Sequence, residues 1–248
     1  MKRILKKSFA MMLAGLMLCM MLSGTAEAAV QYPKTKTLYL QQKWSGYWNY
    51  GSLAINNLAA GETVLKSSVK SSAPSVVRVT GIDRNIYISY DSDSGSRLEE
   101  TDVLNLHYTR TGTSKISFKI GKKTYTSTVK VLPYVNPVSQ LTISGVKNGS
   151  SSNLAGKTSR GCNQNVTLKV GSTQKNAVLS VKAASGWKIT YVSYYNKKQN
   201  VSRGCSSRGA SSLTTHLGNL NTGTGATIYI DFENIKTGGT LSCSYVLR

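Results

Sequence analysis

Acidic residues are scarce in this chain of 248 residues. It has 10 Asp and Glu against 31 Lys and Arg, which gives a formal net charge of +21. No carboxylate side chain occurs between Asp102 and Asp231, whereas six acids gather from Asp83 to Asp102. A chain with so few acids cannot neutralise its own bases, so the composition predicts association with polyanions.

Residues that carry catalysis are also scarce. The chain has two imidazoles, His107 and His216, and no Gly-x-Ser-x-Gly segment that would hold a serine nucleophile. An enzyme would need a pocket that brings His216 beside Cys205 or Cys243. Because no set of nucleophile, base and orienting group can be assembled, we predict a protein that binds and does not catalyse. We expect no cofactor and no metal.

Long apolar runs are missing after the first 28 residues. Four bases precede an apolar stretch at 9–22, and Ala26-Glu27-Ala28 has the small-residue pattern of a cleavage site. Residues 1–28 are therefore predicted to be a cleaved secretory signal. The remainder would be extracellular or at the cell surface, with no membrane span. The signal takes four bases and one acid with it, which leaves a net charge of +18.

No stretch shows a sustained helical period, whereas alternation of apolar and polar residues recurs along the chain. The clearest case is 112–131, where Ile116, Phe118 and Ile120 alternate with polar residues before a turn at Gly121. The return strand continues the pattern to Val131. An isolated hairpin is marginally stable in water, so this one predicts a second sheet packed over its apolar face.

Two prolines in the segment Leu132–Pro137 indicate a stiff connector between two domains. Further alternating segments follow it, up to the last one at 241–247. Trp187 stands at the start of one of them and is expected to lie in the core. We therefore predict an all-β protein with two Ig-like β-sandwich domains in tandem, 29–137 and 138–248. Each has about 110 residues, enough to bury a core of its own.

Three motifs carry a resemblance to a known family. They are Ser-Ser-Ala-Pro-Ser-Val-Val-Arg-Val at 71–79, Gly-Thr-Ser-Lys-Ile-Ser-Phe at 112–118 and Val-Lys-Val at 129–131. Residues 35–132 thereby resemble bacterial Ig-like domains of group 2, the type found in invasin and intimin. The resemblance implies a sandwich at the cell surface and implies no catalytic activity. The segment between Val79 and Gly112 departs from the family, which has a short turn there. The second domain resembles no family that we recognise.

Two features of the first domain leave alternatives open. Asp91, Asp93 and Asp102 match positions 1, 3 and 12 of a calcium loop, but positions 5 and 6 lack the required oxygen ligand and glycine. A solvated acidic loop is the other interpretation. Trp44, Tyr47 and Trp48 could stack on sugar rings as a glycan platform, or could fill strand faces of the sandwich.

The cysteines that follow the signal are Cys162, Cys205 and Cys243. Secretion permits disulfides, and three cysteines allow three pairings. Cys162 and Cys205 each end a Ser-Arg-Gly-Cys repeat, whereas Cys243 alternates with apolar residues. We predict a Cys162–Cys205 disulfide, which would close 43 residues of chain and stabilise by about 3–4 kcal/mol. Cys243 would be a buried free thiol.

The domain at 138–248 carries 13 Lys and Arg against Asp231 and Glu233, a net charge of +11. Its predicted contacts to polyanions are Lys182, Lys188, Lys197, Lys198, Arg203 and Arg208. We expect an adhesive or scaffolding surface protein, retained on anionic cell-wall polymers or surface glycans, with other surface proteins as further partners. A carbohydrate-binding module is the alternative. Nucleic acid is disfavoured because no recognition motif accompanies the charge.

Overall fold

The computed structural model describes residues 29–42, 49–59, 61–91, 95–162, 165–196, 201–221, 223 and 225–248. Within them the chain forms strands and two short 3₁₀ helices, Lys66–Ser68 and Ala155–Thr158, and no α-helix. The predicted signal lies outside the described residues, as do Trp44, Tyr47 and Trp48. The predicted all-β fold class is confirmed.

The first sandwich is built from seven strands. They are β1 (Thr35–Leu40), β2 (Tyr50–Ile55), β3 (Lys70–Ser71), β4 (Val77–Asp91), β5 (Gly95–Tyr108), β6 (Gly112–Ile120) and β7 (Lys123–Pro133). One sheet has the order β1-β7-β6-β3 and the other β2-β5-β4. The parallel pair β1–β7 closes one edge, and the other strand pairs are antiparallel.

The predicted hairpin is confirmed as β6 and β7. Ile120 pairs with Lys123, so Gly121 and Lys122 form the turn, with Gly121 at a φ of 55°. Phe118 is fully buried, its alternating neighbours along β6 and Val129 and Val131 of β7 are buried as well, and Tyr125 of β7 is half-buried. Ser127, the polar gap in the return strand, is also buried and donates a hydrogen bond to the carbonyl oxygen of Pro33 at 2.6 Å.

The acidic segment between Val79 and Gly112 is a long β-ribbon. β4 and β5 pair along their whole lengths, whereas β2 pairs with β5 only at 102–107. The remaining pairs extend beyond the three-stranded sheet. Asp91 pairs with Gly95 near the tip and Asp102 pairs with Arg84 at the base, seven residue pairs away or about 23 Å. The ribbon thus separates the first and last positions of the candidate calcium loop.

The second sandwich is built from eight strands. They are β8 (Val138–Ile143), β9 (Asn165–Leu168), β10 (Gln174–Ala183), β11 (Trp187–Asn196), β12 (Val201–Ala210), β13 (Ser212–Leu220), β14 (Ala226–Asn234) and β15 (Thr240–Leu247). The sheets have the orders β13-β10-β8 and β12-β11-β14-β15-β9. Trp187 is buried in the core between them, as predicted.

The disulfide joins Cys162 to Cys243, with their Cα atoms 4.3 Å apart, so the predicted Cys162–Cys205 pair is wrong. The strand order gives the reason. Cys162 comes just before β9, which pairs with β15 and therefore lies beside Cys243. Cys205 is on β12 at the opposite edge of the sheet, with β11 and β14 between. Cys243 is buried as predicted but bonded, and Cys205 is the half-buried free thiol.

The two sandwiches are in direct contact through the end of β1. Tyr39 belongs to the core of the second sandwich, where its ring centroid is 5.1 Å from that of Trp187. Its hydroxyl is 2.7 Å from Oγ1 of Thr237. The backbone N–H of Gln42 donates to the carbonyl oxygen of Arg160 at 3.0 Å. The first strand of the chain therefore contributes its backbone to one sandwich and a side chain to the other.

Candidate polyanion-binding surface

The six predicted contacts do not form one cluster. Lys197 and Lys198 lie outside the described residues, as does the side chain of Arg208. Lys182 is exposed on the three-stranded sheet, whereas Lys188 is on the five-stranded sheet, which is the other layer of the sandwich. One polymer strand cannot lie across both outer faces.

Lys188 is also partly neutralised. Its Nζ is 3.0 Å from Oε1 of Glu233, and both side chains are about one-third exposed. Arg203 is exposed on the edge strand β12, and its guanidinium lies beside Gly218 of β13. Of the predicted set, Lys182 and Arg203 thus keep a free positive charge in the described part of the chain.

The described bases of the second sandwich have few acidic partners. The described residues contain two ion pairs, Arg84–Glu100 in the first sandwich and Lys188–Glu233 in the second. Nine other bases after residue 137 are exposed and have no carboxylate within 4 Å in the described structure. They are Lys147, Lys157, Arg160, Lys169, Lys175, Lys182, Arg203, Lys236 and Arg248.

Four of these bases gather at one end of the second sandwich, which we call the distal basic end: Lys147, Lys169, Lys175 and Arg248. Backbone contacts bring their segments together. Val146 pairs with Val170, and the N–H of Val170 donates to the carbonyl oxygen of Arg248 at 2.7 Å. β11 starts at Trp187, which contacts the first sandwich, and ends at Asn196. Asn196 pairs with Ala226, which pairs with Leu247, so this end is the one farthest from the first sandwich.

A glycine holds the distal basic end together. Gly145 has a φ of 77°, and a Cβ at this position would lie 2.7 Å from Cγ of Gln174. The N–H of Gly171 donates to the carbonyl oxygen of Gly145 at 3.0 Å. The turn before Lys147 can therefore pack directly on the start of β10, where Lys175 lies. A side chain at residue 145 would force these segments apart.

The distal basic end has no acidic side chain to screen it. Asp231 and Glu233 are the two acids after residue 137, and both are on β14. Glu233 is paired with Lys188, and Asp231 pairs across the sheet with Tyr191 and Ser242. Four cationic side chains at one end, with no acidic side chain among them, form a surface that suits a polymer with repeated phosphate or carboxylate groups.

The glycan platform of Trp44, Tyr47 and Trp48 stays a prediction, because these residues lie outside the described part of the chain. The residues on either side of it are joined, because Nδ2 of Asn49 donates to the carbonyl oxygen of Gln41 at 3.1 Å and Oδ1 of Asn49 accepts from the N–H of Gln41. A cavity of about 380 Å³ lies beside them and is lined by His107 and Thr109, among others. The ring of Tyr50, which is 60% exposed, lies 5.2 Å from the His107 ring.

His107 is buried and lies beside the positive charge of Arg78. Nε of Arg78 donates a hydrogen bond to Nδ1 of His107 at 3.1 Å. Burial, and then the charge of Arg78, lower the pKa of His107 below its usual value. The imidazole is therefore held in its neutral form, which suits a structural role or a hydrogen bond to a neutral ligand.

His216 and Cys205 share a cavity, but no hydrogen bond joins their side chains in the described part of the chain. A cavity of about 440 Å³ between the edge strands β12 and β13 is lined by both Cys205 and His216. Along β13, however, Thr215 is half-buried and Leu217 is buried, whereas His216 is exposed on the alternate face. Cys205 pairs with buried Val192 and shares its inward side. Cys243, the other thiol considered, is in the disulfide.

A metal site and a membrane-spanning helix are both absent from the described residues. Within the described residues, no group of three or more His, Cys, Asp or Glu side chains could hold a metal ion. No helix in the same residues is long and apolar enough to cross a membrane.

Comparisons with known proteins give no family. No protein-family model and no curated protein match the chain. Among solved structures, domains 5–6 of the S-layer protein SbsC match with a TM-score of 0.30 and 12% identity, over 88% of this chain and 97% of that one. A chimeric titin Z1Z2 tandem matches with a TM-score of 0.24 and 10% identity, over 88% and 98%. Scores of this size carry no conclusion about function, so the group 2 resemblance stays a prediction.

Proposed function

We propose that the protein is a non-catalytic, extracellular Ig-like protein that is retained on anionic cell-wall polymers by its second sandwich. The distal basic end is the observation that carries this proposal. It presents Lys147, Lys169, Lys175 and Arg248 together, with no acidic side chain among them. Retention of this kind would serve an adhesive or scaffolding role at the cell surface.

The physical basis is counterion release. A polyanion such as teichoic acid holds a layer of condensed cations, and each protein cation that replaces one of them releases it to the solvent. Binding should therefore weaken steeply as salt concentration rises. The bases of the first sandwich are less suited to this role, because residues 29–137 have seven acids for 14 bases.

The test compares two charge-matched variants of the chain from residue 29 to 248. The first is Lys147→Gln/Lys169→Gln/Lys175→Gln at the distal basic end. The control is Lys115→Gln/Lys122→Gln/Lys123→Gln, which removes three exposed bases from the first sandwich. Binding to purified walls, with and without their teichoic acid, is measured over a range of salt concentrations.

We expect the distal variant to lose at least about tenfold in affinity at low salt. The slope of log affinity against log salt should fall by roughly two to three units, because three cations are lost. The control variant should bind almost as well as the unchanged chain. Equal losses in the two variants, or binding that does not respond to salt, would show that the distal basic end is not the attachment surface.

A carbohydrate-binding module in the first sandwich is the second candidate function. The cavity beside His107 and the exposed ring of Tyr50 favour it, since both lie next to residues 43–48. A glycan array probed with the full chain and with the Trp44→Ala/Trp48→Ala variant tests it. The loss of a glycan signal in the variant would support this function, and an array without any signal would count against it.

A further inference from the structure

The outer face of the five-stranded sheet carries three exposed tyrosines. On β11, Val192 and Tyr194 are buried in the core, whereas Tyr191 and Tyr195 point to the other face and are 41% and 45% exposed. Tyr229 on β14 is 44% exposed. Each of these tyrosines exposes an aromatic ring at a position where a polar side chain would normally face the solvent. Within the described structure, none of their hydroxyl groups forms a hydrogen bond and none of their rings stacks on another ring.

The strand register places these rings as a group, which we call the tyrosine face: Tyr191, Tyr195 and Tyr229. Tyr229 pairs with Ser193, which lies between Tyr191 and Tyr195 on β11. Tyr229 is thus diagonal to both of the other tyrosines, one strand away. The positions of Tyr191 and Tyr195 are four residues apart, or about 13 Å along the strand.

The Tyr191 side chain reaches across to the neighbouring strand β12. A Cβ added to Gly204 of β12 would lie 2.9 Å from Cζ of Tyr191 and 3.3 Å from Cε2, and closer still to the hydroxyl. A side chain at residue 204 would therefore displace the hydroxyl end of Tyr191, which is 41% exposed.

The tyrosine face is bordered by small hydroxyl-bearing residues. The cross-strand partners of Tyr191 and Tyr195 include Ser202, Ser206 and Thr227, which are exposed or half-buried. These side chains offer short hydrogen-bond donors and acceptors around the rings. A surface with both aromatic rings and hydroxyl groups is complementary to a sugar, which has apolar C–H faces and a rim of hydroxyl groups.

Charge on the tyrosine face differs from that of the rest of the second sandwich. Along β14, Ile230 and Phe232 are buried, and Tyr229, Asp231 and Glu233 alternate with them. Both acids after residue 137 therefore lie on the same face as the tyrosines. Lys188, the described base beside them, is paired with Glu233. Charge complementarity thus favours an uncharged polymer over an acidic one here.

We infer that the tyrosine face binds the glycan strand of cell-wall peptidoglycan, with sugar rings stacked on Tyr191, Tyr195 and Tyr229. The C–H groups on the face of a pyranose ring pack against the negative face of an aromatic ring. The wall as location rests on the proposed function, whereas the sugar chemistry rests on the tyrosine face alone. Tyr195 lies next to Asn196, at the end of β11 that belongs to the distal basic end, so the two surfaces are continuous.

The experiment uses the chain from residue 29 to 248 and peptidoglycan from which teichoic acid has been removed. Binding is measured in about 1 M salt, where the Debye length is about 3 Å and charge attraction is screened. Three variants are compared with the unchanged chain: Tyr191→Ala/Tyr229→Ala, Tyr191→Phe/Tyr229→Phe, and Ile86→Ala, which removes an exposed apolar side chain of the first sandwich. Thermal unfolding confirms that each variant is folded.

We expect salt-resistant binding that falls roughly two- to tenfold for each ring removed, and so by roughly four- to hundredfold in the double alanine variant. The phenylalanine variant keeps the rings and should keep most of the binding, as should Ile86→Ala. Soluble oligosaccharides of N-acetylated sugars should compete. Gly204→Ala, which displaces the Tyr191 ring, should weaken binding in the same direction.

Several results would overturn the inference. They are an absence of binding at high salt, a double alanine variant that binds as well as the unchanged chain, and an equal loss in Ile86→Ala. A self-association of the chain that disappears in the double alanine variant, without any binding to peptidoglycan, would instead assign the face to a second copy. None of these results affects the salt-dependent binding to teichoic acid, so the inference and the proposed function can fail separately.

Discussion

Residues 29–137 have seven acids for 14 bases and no cysteine, whereas residues 138–248 have two acids for 13 bases and three cysteines. The first sandwich uses one of its acids as an internal anchor. Asp102 is fully buried at the base of the ribbon, and its Oδ2 accepts hydrogen bonds from Oγ1 of Thr63 at 2.8 Å and from the N–H of Val64 at 2.6 Å. The second sandwich has no buried acid in its described part and is closed by a disulfide.

The difference shows how a chain can keep one surface highly charged without losing a fold. A disulfide does not depend on salt concentration, and it stabilises the second sandwich without a buried carboxylate. If this sandwich binds a polyanion as proposed, it needs no acidic side chain that would repel the polymer.

The largest effect is expected from the loss of the disulfide. Cys162→Ala/Cys243→Ala frees 81 residues of chain, and the second sandwich should lose about 4 kcal/mol of unfolding free energy. Hydrogen exchange measured by mass spectrometry during urea unfolding reports the two sandwiches separately. Cys205→Ala is the matched control and should cost less than about 1 kcal/mol, because Cys205 is half-buried and unbonded. An equal loss in both variants would contradict a stabilising role for the disulfide.

The second prediction concerns the buried acid of the first sandwich. Asp102→Ala leaves the N–H of Val64 and the hydroxyl of Thr63 without their acceptor, and should cost about 2–3 kcal/mol. The same exchange experiment should place the loss in the first sandwich alone. Glu62→Ala, a nearby exposed acid, should change stability by less than about 0.5 kcal/mol. If Glu62→Ala were as costly, the effect would be one of charge and not of hydrogen bonding.

The third prediction is a pH dependence confined to the first sandwich. The pKa of His107 is lowered by burial and by Arg78, so the unfolded chain takes up a proton more readily than the folded one. Stability should therefore be complete above the usual value of about 6.5 and fall as pH decreases below it. Urea unfolding at pH 7.5 and 5 measures this. The pH effect should shrink in His107→Gln and persist in His216→Gln, and the reverse result would refute it.

The smallest effect is expected from the surface ion pair of the second sandwich. Lys188 and Glu233 are each about one-third exposed, so a double-mutant cycle with alanine should give a coupling energy of about 0.5 kcal/mol. It should decrease further in 1 M salt. A coupling above about 2 kcal/mol would mean that the second sandwich, too, depends on a carboxylate.

Local patterns in the sequence predicted the parts of the fold that depend on near neighbours. The hairpin of β6 and β7 is such a case, because its alternation and its glycine turn lie within 20 residues. Trp187 was correctly predicted to be in the core, since a tryptophan at the start of a strand has few other places in a sandwich. The all-β class follows from the same alternation.

Features that depend on which distant strands are neighbours could not be predicted in this way. The parallel pairing of β9 with β15 decides the disulfide, and no local pattern near Cys162 indicates it. The repeated Ser-Arg-Gly-Cys segment suggested Cys205 as the partner of Cys162. That prediction relied on the similarity of the two loops, because the strand order is not visible in the sequence. The distal basic end is likewise assembled from four separate segments.

The tyrosine face had a partial signal in the sequence. Alternation along β11 separates Tyr191 and Tyr195 from Val192, but it does not say which set is buried. Tyr194 and Tyr245, which are the same residue type, lie in the core. Residue type therefore could not distinguish an exposed tyrosine from a buried one, whereas the sheet order and the strand register do.

The disulfide also determines how the protein would respond to mechanical force. If the first sandwich were held and Arg248 pulled, tension would enter the second sandwich at Val138 and pass from Cys162 straight to Cys243. The chain between the two cysteines would bear none of it, so most of the second sandwich could not be extended. In the first sandwich the parallel pair β1–β7 would be loaded in shear along six residue pairs at once. In the second sandwich, the disulfide would therefore shield residues 163–242 from the load, and β8 and the last residues of β15 would bear it instead.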